Sequence, residues 1–107
     1  MQRVAFMIKV KADQIEPYKK QHAAIPPQLT ADLKAAGVSN CSLWMGPDGR
    51  VFGYLECEDW QSVRDQLSRS DANRQWQARM HAYQEPPAET SGDDMWIHML
   101  ELVCLTE

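Results

Sequence analysis

The tetrapeptide "GPDG", Gly46 to Gly49, separates two runs, "VSNCSLWM" (Val38 to Met45) and "RVFGYLECE" (Arg50 to Glu58). Both runs carry the β-branched and aromatic residues of strands. Proline presets the first turn dihedral, aspartate bonds its own backbone, and glycine accepts a positive φ. The segment is therefore predicted to be a β-hairpin. A central hairpin restricts the flanks, because its exposed apolar side chains must be buried by whatever precedes and follows it.

The chain before the hairpin supplies a strand and a helix. In "RVAFMIKV", Val4, Phe6, Ile8 and Val10 alternate with Arg3, Ala5, Met7 and Lys9, the period of a half-buried strand. Asp13 with Glu16 three residues on resembles a capping box, and Pro17 fits only a helix's opening turn. A helix is thus predicted to start near residues 13–16. Tyr18, His22, Ile25 and Leu29 share its face, Leu33 and Ala36 continue it, and Gly37 stops it. After the hairpin, residues 59–83 read as two helices broken near Ser70, where "SDANRQW" offers a fresh N-cap. "QEPPAETSGDD" (Gln84 to Asp94) is a polar loop, and "MWIHMLELVCL" (Met95 to Leu105) reads as an apolar closing strand.

The order β-α-β-β-α-β specifies a ferredoxin-like α+β fold, a four-stranded antiparallel sheet with helices on one face. The 107 residues are read as a single domain spanning 1–107. The uncovered sheet face would leave tryptophan, leucine and valine side chains in water, so a second copy of the chain is expected to cover it. The expected assembly is a homodimer of the dimeric α+β barrel type. A net charge of −4 with scattered lysine and arginine argues against a nucleic-acid partner. No apolar run approaches a membrane span, and no leader pattern opens the chain, so a cytoplasmic protein is expected. Cys41, Cys57 and Cys104 lack metal-type spacing and fall in apolar runs, so they are read as reduced core thiols.

The chemistry-bearing stretch is "YKKQHAAIPPQL" (Tyr18 to Leu29). Residues four apart on a helix lie on one side, which gives Tyr18 and His22 a common volume of space. Histidine both gives and takes protons near neutral pH. Pro26 has no N–H for the His22 carbonyl, so the helix is expected to break there and open a pocket wall beside His22. Spacing alone also fits a surface pair on a bent amphipathic helix. Trp76 in "NRQWQARM" offers an indole face of the kind sugars stack on, and equally fits a core tryptophan between helix and sheet. Trp44, Trp60 and Trp96 are read as core, and His81 and His98 as structural or exposed. Glu101 either faces solvent or is a paired buried carboxylate. No metal-ligand signature, glycine-rich phosphate loop, Ser–His–Asp arrangement or CxxC motif is present.

Taken together, "RVAFMIKV", "YKKQHAAIPPQL", the hairpin, "RQWQARM" and "LELVCL" resemble the L-rhamnose mutarotases over nearly the whole chain. The resemblance implies a small dimeric enzyme, an isomerase that interconverts the α and β anomers of a monosaccharide without a cofactor. It implies His22 as proton donor, with Tyr18 and Trp76 touching the sugar. The chain departs from the family pattern at four positions. Pro26 replaces a tryptophan, Gln28 a glutamate, Cys41 a substrate-contacting tyrosine and Gln77 the second of two adjacent tryptophans. Cys41 and Gln77 are accordingly expected at the sugar, with L-rhamnose or a related pyranose such as L-fucose as substrate. Two other readings fit the same residues: a non-catalytic sugar- or ligand-binding dimer, and a cofactor-free monooxygenase on the same fold.

Overall fold

The computed structural model describes residues 1–87 and 96–106. Strand β1 (Gln2–Val10) is followed by a 3-10 turn (Ala12–Gln14), α1 (Ile15–His22) and α2 (Pro27–Ala35). The hairpin strands β2 (Ser39–Met45) and β3 (Arg50–Cys57) come next, then α3 (Trp60–Ser68), α4 (Asp71–His81), β4 (Gln84–Glu85) and β5 (His98–Leu100). The sheet order is β2-β3-β1-β4, with β5 also paired to β1, and every pairing is antiparallel. The α+β ferredoxin-like plan holds, with one refinement. Two short strands share the fourth position, β4 against Lys9–Val10 and β5 against Ala5–Met7.

The hairpin forms as its turn chemistry dictates. Gly46 N donates to Arg50 O at 2.8 Å, and Asp48 Oδ1 accepts from Arg50 N at 3.1 Å. Gly49 takes φ +88°, and a Cβ there would lie 2.4 Å from the Val10 carbonyl oxygen, so this turn position excludes a side chain. Gly49 O in turn accepts from Val10 N at 2.8 Å, locking the hairpin onto the end of β1. Between Ser39 and Ser42 the β2–β3 register shifts, with Asn40 at φ 49°. Asparagine tolerates that conformation, and its amide is tied to Glu56 Oε1.

Alternation sorts the sheet. Val4, Phe6, Ile8 and Val10 of β1 lie in register with Leu55, Gly53, Val51 and the turn, all towards the helices. There they form two apolar lobes bridged by Ile8. Val4, Phe6, Leu55, Cys57 and Val63 build one; Val10, Val51, Tyr18, Leu29, Trp76 and Met80 build the other. Burying a side chain such as Val63 or Met80 contributes about 1.5–3 kcal/mol. The opposite face is open, with Trp44 67% and Phe52 44% exposed, and Leu100 39% exposed on the same face across β1.

Helix ends follow local chemistry except at α1. Asp59 caps α3 by accepting from Gln61 N and Ser62 N, and Ser70 caps α4 by accepting from Asn73 N at 3.0 Å. Ser70 also donates to Asp32 Oδ2 at 2.6 Å, tying α4 to α2 and holding the Asp32 carboxyl below its usual range, helped by Gln28. The Asp13–Glu16 capping box does not form. Asp13 is drawn into the 3-10 turn, and Gln14 precedes α1 without a side-chain bond.

Several expectations are corrected. Among the described residues of the expected closing strand, His98–Leu100 alone pair with β1, and residues 101–106, Glu101 included, are exposed and outside any strand. Residues 88–94 of the expected loop, and Met95, lie outside the described residues. Trp44 is on the open sheet face rather than in a core. Cys57 is buried, but Cys41 and Cys104 are exposed, and all three are free thiols. Cys41 lies on the helix side of an edge strand, and Cys104 beyond the last strand, so neither meets a covering layer. No helix among the described residues is long and apolar enough to cross a membrane.

Candidate active site

A cavity of about 500 Å³ opens between the helices and the sheet, with Phe6, Ile8 and Leu55 among its apolar walls. Tyr18, His22, Cys41, Trp76 and Gln77 all line it. The two helices that meet here explain why. Tyr18 and His22 are one turn apart at the end of α1, and their rings lie 4.3 Å apart, tilted by 38°. Trp76 comes from α4 and meets His22 edge-on, at 5.0 Å and 80°. The imidazole is thus held between a phenol and an indole.

One hydrogen bond sets the ring's tautomer. His22 Nδ1 is 3.1 Å from the backbone oxygen of Tyr18. A carbonyl oxygen only accepts, so Nδ1 carries the hydrogen. The neutral ring then offers Nε2 as a proton acceptor, and the charged ring offers it as a donor. This is the requirement for a group that both gives and takes a proton.

Trp76 satisfies both of the readings its sequence left open. It is 7% exposed and packs in the lobe around Met80, and its edge also lines the cavity. Tyr18, at 4%, is buried as deeply. Burial pushes its phenol's ionisation up, and a hydrogen bond from the Gln84 side chain partly offsets this. Burial likewise pushes the Cys41 thiol up, although the residue is open to the cavity. That thiol is held in its neutral, weakly polar form.

Pro26 behaves as expected for the chain path and otherwise for the pocket. α1 ends at His22, and a new helix begins at Pro27 with Pro26 preceding it. Pro26 does not line the main cavity. It flanks a separate depression beside Trp76, Gln75 and Arg79. Gln28 points away, donating to Asp32 Oδ1 at 2.8 Å.

Three cavity residues stand out among those that carry no site signal of their own in the sequence analysis: His81, Trp96 and Gln84. His81 stacks on Trp96, with ring centroids 4.1 Å apart and an interplanar angle of 11°. Both line the cavity, against the expectation of a structural or exposed His81 and a core Trp96. A signal existed for His81: Asn73, Gln77 and His81 recur every four residues, one stripe of α4, and all three reach the cavity. The third is Gln84, for which a single glutamine at the start of a polar segment carried no signal. No group of three or more His, Cys, Asp or Glu side chains among the described residues is arranged to hold a metal ion.

Comparison with known proteins places the chain in a family. The sequence matches the model of the L-rhamnose mutarotase family over residues 3–104. It is 30% identical over 95 residues to an L-rhamnose mutarotase of Oceanobacillus iheyensis, covering 88% of this chain and 86% of that one. Among solved structures, an L-rhamnose mutarotase from Formosa agariphila superposes with a TM-score of 0.79 at 23% identity, covering all of both chains. An antibiotic biosynthesis monooxygenase superposes with a TM-score of 0.63 at 11% identity, over 97% of this chain and 100% of that one. That similarity is one of fold alone, and fold does not decide chemistry.

Proposed function

The chain belongs to the L-rhamnose mutarotase family and is a sugar mutarotase, and from that premise we propose how its residues divide the reaction. The substrate is L-rhamnose or a related pyranose such as L-fucose. Exchange of anomers breaks the bond between the anomeric carbon and the ring oxygen. The ring oxygen gains a proton, and the anomeric hydroxyl loses one to become an aldehyde. Rotation of the carbonyl and reclosure on its other face give the other anomer.

His22 serves as the acid/base, with Nε2 facing the sugar while Nδ1 is held by the Tyr18 carbonyl. Tyr18, or a water beside it, relays the second proton, and Trp76 lies against the sugar. The observation that carries this reading is the Tyr18–His22–Trp76 contact on the wall of the cavity. Proton transfer and orientation are all the reaction asks of the protein. Cys41 and Gln77 complete the sugar site.

Polarimetry tests the substrate assignment. A freshly dissolved single anomer relaxes to its equilibrium rotation, and the protein should hasten this most for L-rhamnose or L-fucose across a panel of aldoses. Equal, unaccelerated relaxation for every sugar would contradict the assignment.

The protein is further proposed to act in the cytoplasm as a homodimer. The supporting feature is the open sheet face carrying Trp44, Phe52 and Leu100, which a second copy would cover. Light scattering should give a mass near twice 12.3 kDa. A single-chain mass would rule the dimer out.

A further inference from the structure

His81 and Trp96 form a second aromatic pair in the cavity, apart from the contacts that hold His22. The Trp96 indole covers one face of the imidazole, with centroids 4.1 Å apart and planes 11° from parallel. Stacking of this kind fixes the plane of the ring. The indole covers the ring's face and not its edges, where both nitrogens lie. Both residues are half-buried, and both line the cavity. Among the described residues no atom hydrogen-bonds the His81 ring.

The place of this pair follows from α4. Asn73, Gln77 and His81 stand one above another on the helix, and each reaches the cavity. Asn73 Nδ2 donates to Leu67 O at 3.2 Å, which turns Asn73 Oδ1 towards Gln77 Nε2, 3.4 Å away. The Gln77 amide is thereby drawn back along the helix, away from His81. Trp76, which touches His22, lies five residues before His81, an advance of about 7.5 Å along the axis. The cavity therefore carries two imidazoles at different levels, His22 beside Trp76 and His81 beside Trp96.

We propose that His81, held against Trp96, is a specificity-determining residue that hydrogen-bonds a sugar hydroxyl away from the anomeric carbon. The inference rests on the mutarotase reading, which puts the anomeric centre at His22. A neutral imidazole has one donor and one acceptor nitrogen, so it pairs with a hydroxyl in either sense. A sugar lacking that hydroxyl leaves the ring unpaired beside it, which is how a polar contact rejects an analogue. The stack on Trp96 holds the ring in place before the sugar arrives, so little ordering is left to oppose binding.

The test pairs a variant with a set of sugars. His81→Phe keeps a ring to stack on Trp96 and removes both nitrogens. Isothermal titration gives affinities for the preferred sugar and for analogues that each lack one hydroxyl other than the anomeric one. His81→Phe should bind the full sugar about three- to tenfold more weakly than the natural protein, the range one lost hydrogen bond covers. For one analogue the natural protein should be as weak, and His81→Phe should lose nothing further. At saturating sugar the variant's kcat should stay within about twofold, because the lost contact is made in the ground state as well. An equal loss for the full sugar and every analogue, or no loss at all, would overturn the proposal. Should His81→Phe not fold, His81→Leu serves the same comparison. A natural protein that neither binds nor exchanges any sugar would overturn the mutarotase reading itself, whereas exchange without the His81 signature overturns this inference alone.

Discussion

Replacing His22 with alanine is expected to slow anomer exchange by about 10² to 10⁴-fold, the share that a positioned acid/base supplies. The same variant should keep its affinity for the sugar within a few-fold. Tyr18 and Trp76 are both held in the core independently of the imidazole, so the binding wall survives its removal. His22→Asn is the companion variant. Its amide can still donate to the Tyr18 carbonyl but cannot trade a proton at neutral pH, so it should be as slow as alanine. Isothermal titration gives the affinity, and exchange kinetics give the rate. A variant that exchanged anomers at the natural rate would remove His22 from the chemistry.

Gly53→Ala is expected to destabilise the fold and impair exchange together. A Cβ at this position would meet three atoms of the Phe6 ring at 2.2, 2.3 and 2.8 Å. Phe6 is paired directly with Gly53 in the β1–β3 ladder, and its ring lies flush on the glycine. Replacing glycine with alanine in a strand ordinarily gains about 0.5–1 kcal/mol through chain entropy. Overpacking a filled core costs about 1–3 kcal/mol, so the clash wins. For a domain near this size each lost kcal/mol lowers Tm by roughly 4–8 °C. Phe6 is also a cavity wall, so a displaced ring intrudes where the sugar is proposed to sit. Calorimetry alongside kinetics checks both effects. An unchanged Tm would mean that the ring yields without cost.

What the sequence disclosed follows from how local each signal is. The Gly46–Gly49 turn is written in four residues, and it forms as those residues require. Tyr18 and His22 meet because a helix brings residues four apart together, whatever surrounds it. The alternation of β1 identified its helix-facing residues correctly, because one sheet face is covered and the other is open. Trp76 could be singled out but not assigned, since the same indole serves the core and the cavity.

Signals that depend on distant partners were lost. Gln84 reaches the cavity because its strand pairs with β1, and a two-residue strand has no period to read. His81 looked solitary because Trp96 reaches it across a long separation in sequence. The apolar run from Met95 to Leu105 read as one strand, yet Leu102, Val103 and Leu105 remain exposed beyond the pairing with β1. Apolarity records that a surface is to be covered and does not say by what. The Asp13 cap failed for a related reason: the motif was present, but the 3-10 turn took the residue first.

The Tyr18–His22–Trp76 cavity is proposed to exchange sugar anomers. The most direct measurement is NMR exchange between the anomeric proton resonances of L-rhamnose and of L-fucose at equilibrium. Each sugar is measured alone, with the natural protein, and with His22→Ala. Faster exchange with the natural protein that returns to the uncatalysed rate with His22→Ala is the predicted result. Exchange no faster than in buffer for either sugar, from protein that is folded and at its native mass, would contradict it.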